Sequence, residues 1–358
     1  MSPSQAPFYL IVHTDHPLDP TGPNSGAEMA SLNHARFLAK AGRRVCLAAR
    51  LKQNLSHDQG VDFIDLGPTY DIERAFDYAD SLGHPYVMIS EGKAFALLLS
   101  RRRTLCIKRI LVTHDRTAGD SGLRPEVLET VCDHILCVSQ AQYDKLASEG
   151  APTSKMQVIY NGVDLSIFRP SAPEAHNPYR LLFSGALVPD KGLHLLIGSY
   201  IDLKARYPQL TLEVFGSSSL WSRSDYLNIN ELQAAVPGLT FRGKATQSEI
   251  ASALHTAGIC VVPSIWFEPL GLVSLEAQAT GTPVVTFNVG GLPETVIDGE
   301  TGFVAKEVSQ PALTAALDSL LKDPQRLAQM SAKASAHVSE KFNWSVVIER
   351  ILRCAEGV

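Results

Sequence analysis

Two glutamates, Glu268 and Glu276, stand eight positions apart in the run Pro263-Ser-Ile-Trp-Phe-Glu-Pro-Leu-Gly-Leu-Val-Ser-Leu-Glu276, with Gly271 between them. Ile259–Val262 before it is a short β-branched run of the kind found in a buried parallel strand. Pro263 and Ser264 end that strand, and Gly271–Thr280 carries apolar residues at helical spacing as far as Gly281-Thr-Pro283. The segment reads strand, loop, helix start. A helix start is an anion site, because its first backbone N–H groups lack intrahelical partners and point outward. The N–H groups of Leu270, Gly271 and Leu272 are the candidate phosphate contacts, and Gly271 has no side chain to hold a phosphate away. Glu276 shares its helix with Val273, Leu275, Ala277 and Ala279, where an unpartnered charge is costly. A phosphate between two carboxylates that accept hydroxyls suggests a sugar nucleotide, the sugar on one Glu and the ribose on the other.

The elements that must position these groups alternate. Strand-like runs at Phe8–His13, Arg44–Ala49, Tyr86–Ile89, Ile110–Thr113, His134–Val138 and Gln157–Tyr160 are mostly separated by helical stretches, such as Glu28–Ala41 with its stripe Met29, Leu32, Phe37 and Leu38. The pattern restarts at Arg180–Ser184 and continues through Thr211–Phe215, Thr240–Phe241, Ile259–Val262 and Val284–Thr286. Such alternation implies right-handed crossovers and parallel sheets covered on both faces. We therefore expect an α/β chain of two doubly wound, Rossmann-like domains, 1–170 and 171–341, joined near Phe168-Arg-Pro-Ser-Ala-Pro173. Ligands of open parallel sheets bind beyond the carboxyl ends of the strands, so two such sheets facing each other would make one cleft. Three strand-end features belong to the first domain. Ser25-Gly-Ala-Glu28 is a glycine entry to a helix, at which Gly26 lets backbone approach the donor phosphate or the acceptor. His114, in Leu111-Val-Thr-His114, is a turn-capping histidine or a cleft group. Ser139 is an N-cap, the commoner case, or an acceptor contact.

Composition narrows the function. The 358 residues are 45% hydrophobic and 19% charged, as in a globular protein of two ordinary domains. A net charge of −5 gives no electrostatic footprint for nucleic acid. The one basic cluster, Ser100-Arg-Arg-Arg-Thr-Leu-Cys-Ile-Lys-Arg109, reads as the charged end of a helix before a buried strand, with contact to anionic lipid headgroups or an anionic acceptor as the alternative. The six cysteines show no zinc spacing, and Cys46, Cys106, Cys137 and Cys260 lie in apolar runs. With no signal peptide and no membrane-spanning run, a cytoplasmic location is expected, with at most peripheral membrane contact. A GxGxxG fingerprint is absent at Ser25–Glu28, which argues against a dinucleotide oxidoreductase. No Asp-x-Asp pair occurs, so no metal site is expected at a diphosphate and no cofactor is implied.

The Glu268–Glu276 run resembles the E-x7-E signature of the retaining family 4 glycosyltransferases of GT-B fold. Asn288–Phe303 resembles the next loop and strand of that family, Val158–Pro170 its interdomain segment, and Phe183–Gly192 its first C-terminal strand and phosphate loop. The similarity covers nearly the whole chain in the right order, more loosely in the N-terminal half. It implies that Glu268 holds the sugar of the donor and Glu276 its ribose, that Gly185 and Lys191 lie at the phosphates, and that His114 lies near the sugar. It also implies that the last helix, 342–358, packs back on the N-terminal domain, and that the segments Phe215–Trp221 and Phe241–Lys244 frame the base. The family pairs its lysine with an arginine at the position of Ala186; Arg242 and Lys244 are the candidates to replace it. The resemblance thus implies a metal-independent, retaining hexosyltransferase of carbohydrate biosynthesis. Its donor is a nucleotide diphosphate sugar, and its acceptor is a saccharide, a lipid-linked or a small hydroxyl compound. The alternatives are a weak or inactive sugar-nucleotide-binding subunit and a GT-B epimerase or hydrolase.

Overall fold

The computed structural model describes residues 7–91, 104–114, 125–172, 175–217 and 227–357. Residues 100–103 of the basic cluster, Pro173 of the expected junction and 218–221 of the expected base-framing segment lie outside them. The chain forms two units, Met1–Asn161 with Trp344–Val358, and Gly162–Asn343.

The first unit holds an eight-stranded sheet of order β3-β4-β2-β1-β5-β6-β7-β8. Its strands are β1 Phe8–His13, β2 Val45–Ala49, β3 His57–Asp58, β4 Val61–Asp65, β5 Tyr86–Glu91, β6 Cys106–Thr113, β7 His134–Cys137 and β8 Met156–Val158. All pairs are parallel except β3 with β4. β1 and β2 are buried at every position, which is why they read as continuous apolar runs. β3 and β4 were not foreseen. Val61-Asp-Phe-Ile-Asp65 alternates buried with half-exposed positions, as a strand near the sheet edge does, and its two aspartates hide it among loops. Lys108 and Arg109 of the basic cluster lie on β6: the Lys108 ammonium donates to the Cys354 carbonyl at 3.0 Å, and the Arg109 backbone N–H donates to Asp133 at 2.7 Å.

The terminal helix Trp344–Glu356 belongs to this unit. Trp344 is fully buried against His34 and Phe37 of the helix Gly26–Lys40, with centroids 4.9 and 5.6 Å away. At the far end Glu356 accepts from the Tyr9 hydroxyl at 2.7 Å and from Arg43 at 2.7 and 2.8 Å.

The second unit is a six-stranded, all-parallel sheet of order β11-β10-β9-β12-β13-β14. Its strands are β9 Asn177–Ser184, β10 Thr211–Phe215, β11 Leu239–Gly243, β12 Ala257–Val262, β13 Val284–Phe287 and β14 Gly302–Ala305. Leu181, Leu212, Val214, Ile259 and Val285 of the sheet share one core with Leu196, Tyr200, Leu313 and Leu317 of flanking helices. The order changes direction between β9 and β12, the topological switch point at which such sheets bind ligands.

The boundary lies earlier than expected. Residues 162–170 belong to the second unit, because their free backbone groups find partners there. The Val163 N–H donates to Phe342 at 2.8 Å, the Ser171 N–H to Thr280 at 3.0 Å, and the Arg169 carbonyl lies 2.9 Å from His255 Nε2.

Candidate functional site

β12 delivers the chain to Pro263, and after a loop the helix Leu272–Ala279 begins at Gly271. Its first turn has neither a side-chain cap nor an acidic residue, so its N–H groups stay available to an anion. Gly271 has a packing reason of its own: its φ is 98°, and a Cβ there would lie 2.4 Å from Leu292 Cδ2.

Glu268 and Lys191, 77 residues apart in the chain, meet in this loop. The Lys191 ammonium donates to Glu268 Oε2 at 2.6 Å. The same oxygen accepts from the Trp266 indole N–H at 2.9 Å and from the Ser264 hydroxyl at 3.1 Å. The ammonium also lies 4.7 Å from the centroid of the Trp266 ring.

Backbone contacts hold the pair in register. Lys191 ends the single turn Pro189–Lys191, and Gly192 follows with a φ of 68°. The Ile265 N–H donates to the Asp190 carbonyl at 2.9 Å. A Cβ on Gly192 would fall 1.9 Å from the Pro263 carbonyl oxygen, so only glycine allows this approach. From the other side, the Gly291 N–H donates to the Glu268 carbonyl at 2.7 Å, and a Cβ on Gly290 would lie 2.2 Å from that oxygen.

Glu276 is half-buried on the second turn of the helix and accepts from Gln247 Nε2 at 3.2 Å. Burial pushes its carboxyl up to about 7, opposed by that hydrogen bond. Gly185 lies at the end of β9, its N–H donating to Phe215 at 3.1 Å. A Cβ on Gly216 would fall 1.8 Å from the Gly185 carbonyl oxygen, so glycine pairs tie these strand ends together.

The candidates to replace an arginine at Ala186 are placed differently. Arg242 is held by Glu213, with Nε donating at 2.8 Å, and Arg180 donates to the same carboxylate. Lys244 is exposed. The structure brings neither to Lys191 in any recorded contact among the described residues.

In the first unit His114 follows β6. Its Nε2 accepts from Asn161 Nδ2 at 3.1 Å, which leaves the ring proton on Nδ1, 4.0 Å from Glu91 Oε2. Burial lowers the His114 pKa, against the opposing charge of Glu91. Glu91 itself is buried. Burial alone would raise its carboxyl, but His34 at 2.6 Å and the Ser31 hydroxyl outweigh it and lower the value to about 2. Ser139 is a fully buried cap that accepts from the Gln142 N–H at 3.0 Å, which removes it from the candidate contacts. Gly26 opens its helix and is exposed, while the Ser25 hydroxyl donates to Glu28.

Sequence reasoning missed Trp266, Ser264, Gln247, Gly290 and Glu91. The first two lie inside the run Pro263–Glu276, where proximity to Glu268 was the available signal. Gly290, with Gly291, had the signal of a paired glycine within Asn288–Phe303. Gln247 and Glu91 had none.

A family model described as Glycosyltransferase Family 4 matches residues 24–167, and one described as Glycosyl transferases group 1 matches residues 166–337. The chain is 33% identical over 218 residues to the glycogen synthase of Mycobacterium tuberculosis (strain H37Rv), covering 60% of this chain and 52% of that protein. It is 34% identical over 245 residues to the D-inositol 3-phosphate glycosyltransferase of Paenarthrobacter aurescens (strain TC1), covering 63% and 60%. It thus spans little more than half the length of these curated relatives. Among solved structures, sucrose-phosphate synthase from Thermosynechococcus elongatus matches with a TM-score of 0.81 at 21% identity, over 97% of this chain and 98% of that one. HepE from Anabaena, in complex with UDP-glucose, matches with a TM-score of 0.74 at 21% identity, over 98% and 100%. At that identity the likeness is one of fold.

Proposed function

Because the chain belongs to the family 4, group 1 glycosyltransferases and has their GT-B fold, we propose that it moves a sugar from a nucleotide diphosphate sugar to an acceptor hydroxyl, with retention and without a metal ion. The carrying observation is the Lys191–Glu268 contact beside an uncapped, carboxylate-free helix start: cation, hydroxyl acceptor and anion site converge on one loop.

In this reading the diphosphate lies at the N–H groups of Leu270, Gly271 and Leu272, Glu276 takes the ribose hydroxyls, and Glu268 takes hydroxyls of the sugar. The bond between the anomeric carbon and the diphosphate oxygen breaks, a bond to the acceptor oxygen forms, and the acceptor proton passes to the leaving phosphate. Lys191 meets the charge that develops on that phosphate, where a fixed cation acts most strongly. We assign metal independence to this arrangement, in which the helix N–H groups and Lys191 meet the charge of the diphosphate. The acceptor is a hydroxyl compound, and His114 of the first unit is the candidate residue near the sugar of the donor. We assign the reaction to the cytoplasm on the free, mostly buried cysteines.

The test is consumption of a panel of UDP-, GDP- and ADP-sugars by the purified chain, followed by proton NMR with and without EDTA. The expected result is one sugar transferred with its anomeric configuration kept and the rate unchanged by EDTA. Activity lost in EDTA and restored by manganese would refute the phosphate site. A second reading, a binding subunit without turnover, draws on Ala186 and on the commitment of Arg242 to Glu213. A nucleotide that raises the melting temperature while no product forms would favour it.

A further inference from the structure

Oε2 of Glu268 accepts from Lys191, Trp266 and Ser264 at 2.6, 2.9 and 3.1 Å. Oε1 has no recorded partner among the described residues. A carboxylate oxygen offers about two lone-pair directions, so three donors occupy Oε2 fully and leave Oε1 as the oxygen able to accept a further donor. Trp266 touches both charged groups: its N–H reaches Glu268, and its ring face lies 4.7 Å from the Lys191 ammonium. Ser264 shares the first contact and not the second, and its side chain is buried, which fixes its hydroxyl. The tryptophan is half-buried at the surface of the loop, where a residue of packing value alone has little to gain from both contacts.

We propose that Trp266 is a positioning residue of the sugar-donor site: its indole N–H, with Ser264, clamps Oε2 of Glu268 so that Oε1 alone receives the sugar hydroxyl, while its ring face seats Lys191 for the diphosphate. The inference rests on the glycosyltransferase reading above. It separates two effects that a merely structural tryptophan would not separate. Sugar orientation depends on the N–H, and diphosphate affinity depends on the ring.

The experiment compares wild type with Trp266→Phe, Trp266→Leu and Ser264→Ala. Each is checked by melting temperature, then titrated calorimetrically with whichever of UDP, GDP and ADP stabilises the wild type, and assayed on the matching nucleotide sugar. Trp266→Phe keeps a ring and loses the N–H. It should bind the nucleoside diphosphate within about twofold of wild type and lose about tenfold in kcat, the size expected for one hydrogen bond to a charged group. Ser264→Ala should behave like Trp266→Phe. Trp266→Leu should lose the same in kcat and also bind the diphosphate about fivefold more weakly, as a lost cation–π contact implies. A folded Trp266→Phe with unchanged kcat, or phenylalanine and leucine variants that weaken diphosphate binding alike, would overturn the proposal while leaving the parent reading intact. A wild type that neither binds a nucleoside diphosphate nor consumes a nucleotide sugar would overturn both.

Discussion

In the proposed reading Glu276 is a ribose carboxylate, and its surroundings then hold it for a ligand at a cost to the fold. Burial raises its carboxyl to about 7, and a single hydrogen bond from Gln247 opposes this. Ribose hydroxyls donate to the ionised form, so binding should favour ionisation and release a proton. Affinity for the nucleoside diphosphate should therefore rise between pH 6 and pH 8, and calorimetry at three pH values measures it. Stability has the opposite sign. The folded value lies above the ordinary carboxylate value, so folding favours the protonated form; that contribution is present below the ordinary carboxylate range and is lost as pH rises toward 7. Glu276→Gln should accordingly melt above wild type at pH 8 and close to it at pH 5, and its nucleotide affinity should no longer depend on pH. The two glutamates were legible from the strand–loop–helix run that carries them, and Lys191 from the resemblance of Phe183–Gly192 to the family's phosphate loop. Trp266 and Gln247 were not, since an indole in a loop or an amide at the start of a helix has many ordinary uses.

The elements around the site are held by close backbone approaches. Three glycines press against strand ends or against the Glu268 loop: Gly192 on Pro263, Gly216 on Gly185 and Gly290 on Glu268 itself. All three have positive φ, at 68°, 143° and 56°. Gly290→Ala should therefore strain its own backbone and push the Glu268 carbonyl away, at about 2–4 kcal/mol of stability. Chemical denaturation measures the loss, and a value under about 0.5 kcal/mol would show that the loop yields freely. Buried strands were easy to read: β1 and β10 run over the same residues in sequence and structure. β4 was missed because an alternating strand with two aspartates imitates a loop, and the starts of β6 and β9 were missed because their first residues are polar or half-exposed.

At the scale of the whole chain, the restart of the strand–helix pattern near Arg180 was enough to foresee two parallel-sheet units. The boundary was harder to place, because a linker is assigned by where its backbone groups find partners. Residues 162–170 look like the end of the first unit and are bonded into the second. The terminal helix was placed by resemblance; its own sequence shows only an apolar stripe, whose tryptophan proves to pack on the Gly26–Lys40 helix. The proposed site depends on Lys191 among the described residues considered for its cation, since Ala186 supplies none and Arg242 is held by Glu213. The most direct measurement is kcat for consumption of the accepted nucleotide sugar by the full chain, wild type beside Lys191→Ala, with melting temperatures matched. The account predicts a fall of about a hundredfold or more, as for other single electrostatic contacts to a transition state. A folded Lys191→Ala that turns over within about twofold of wild type would contradict it, because the leaving diphosphate would then be stabilised elsewhere.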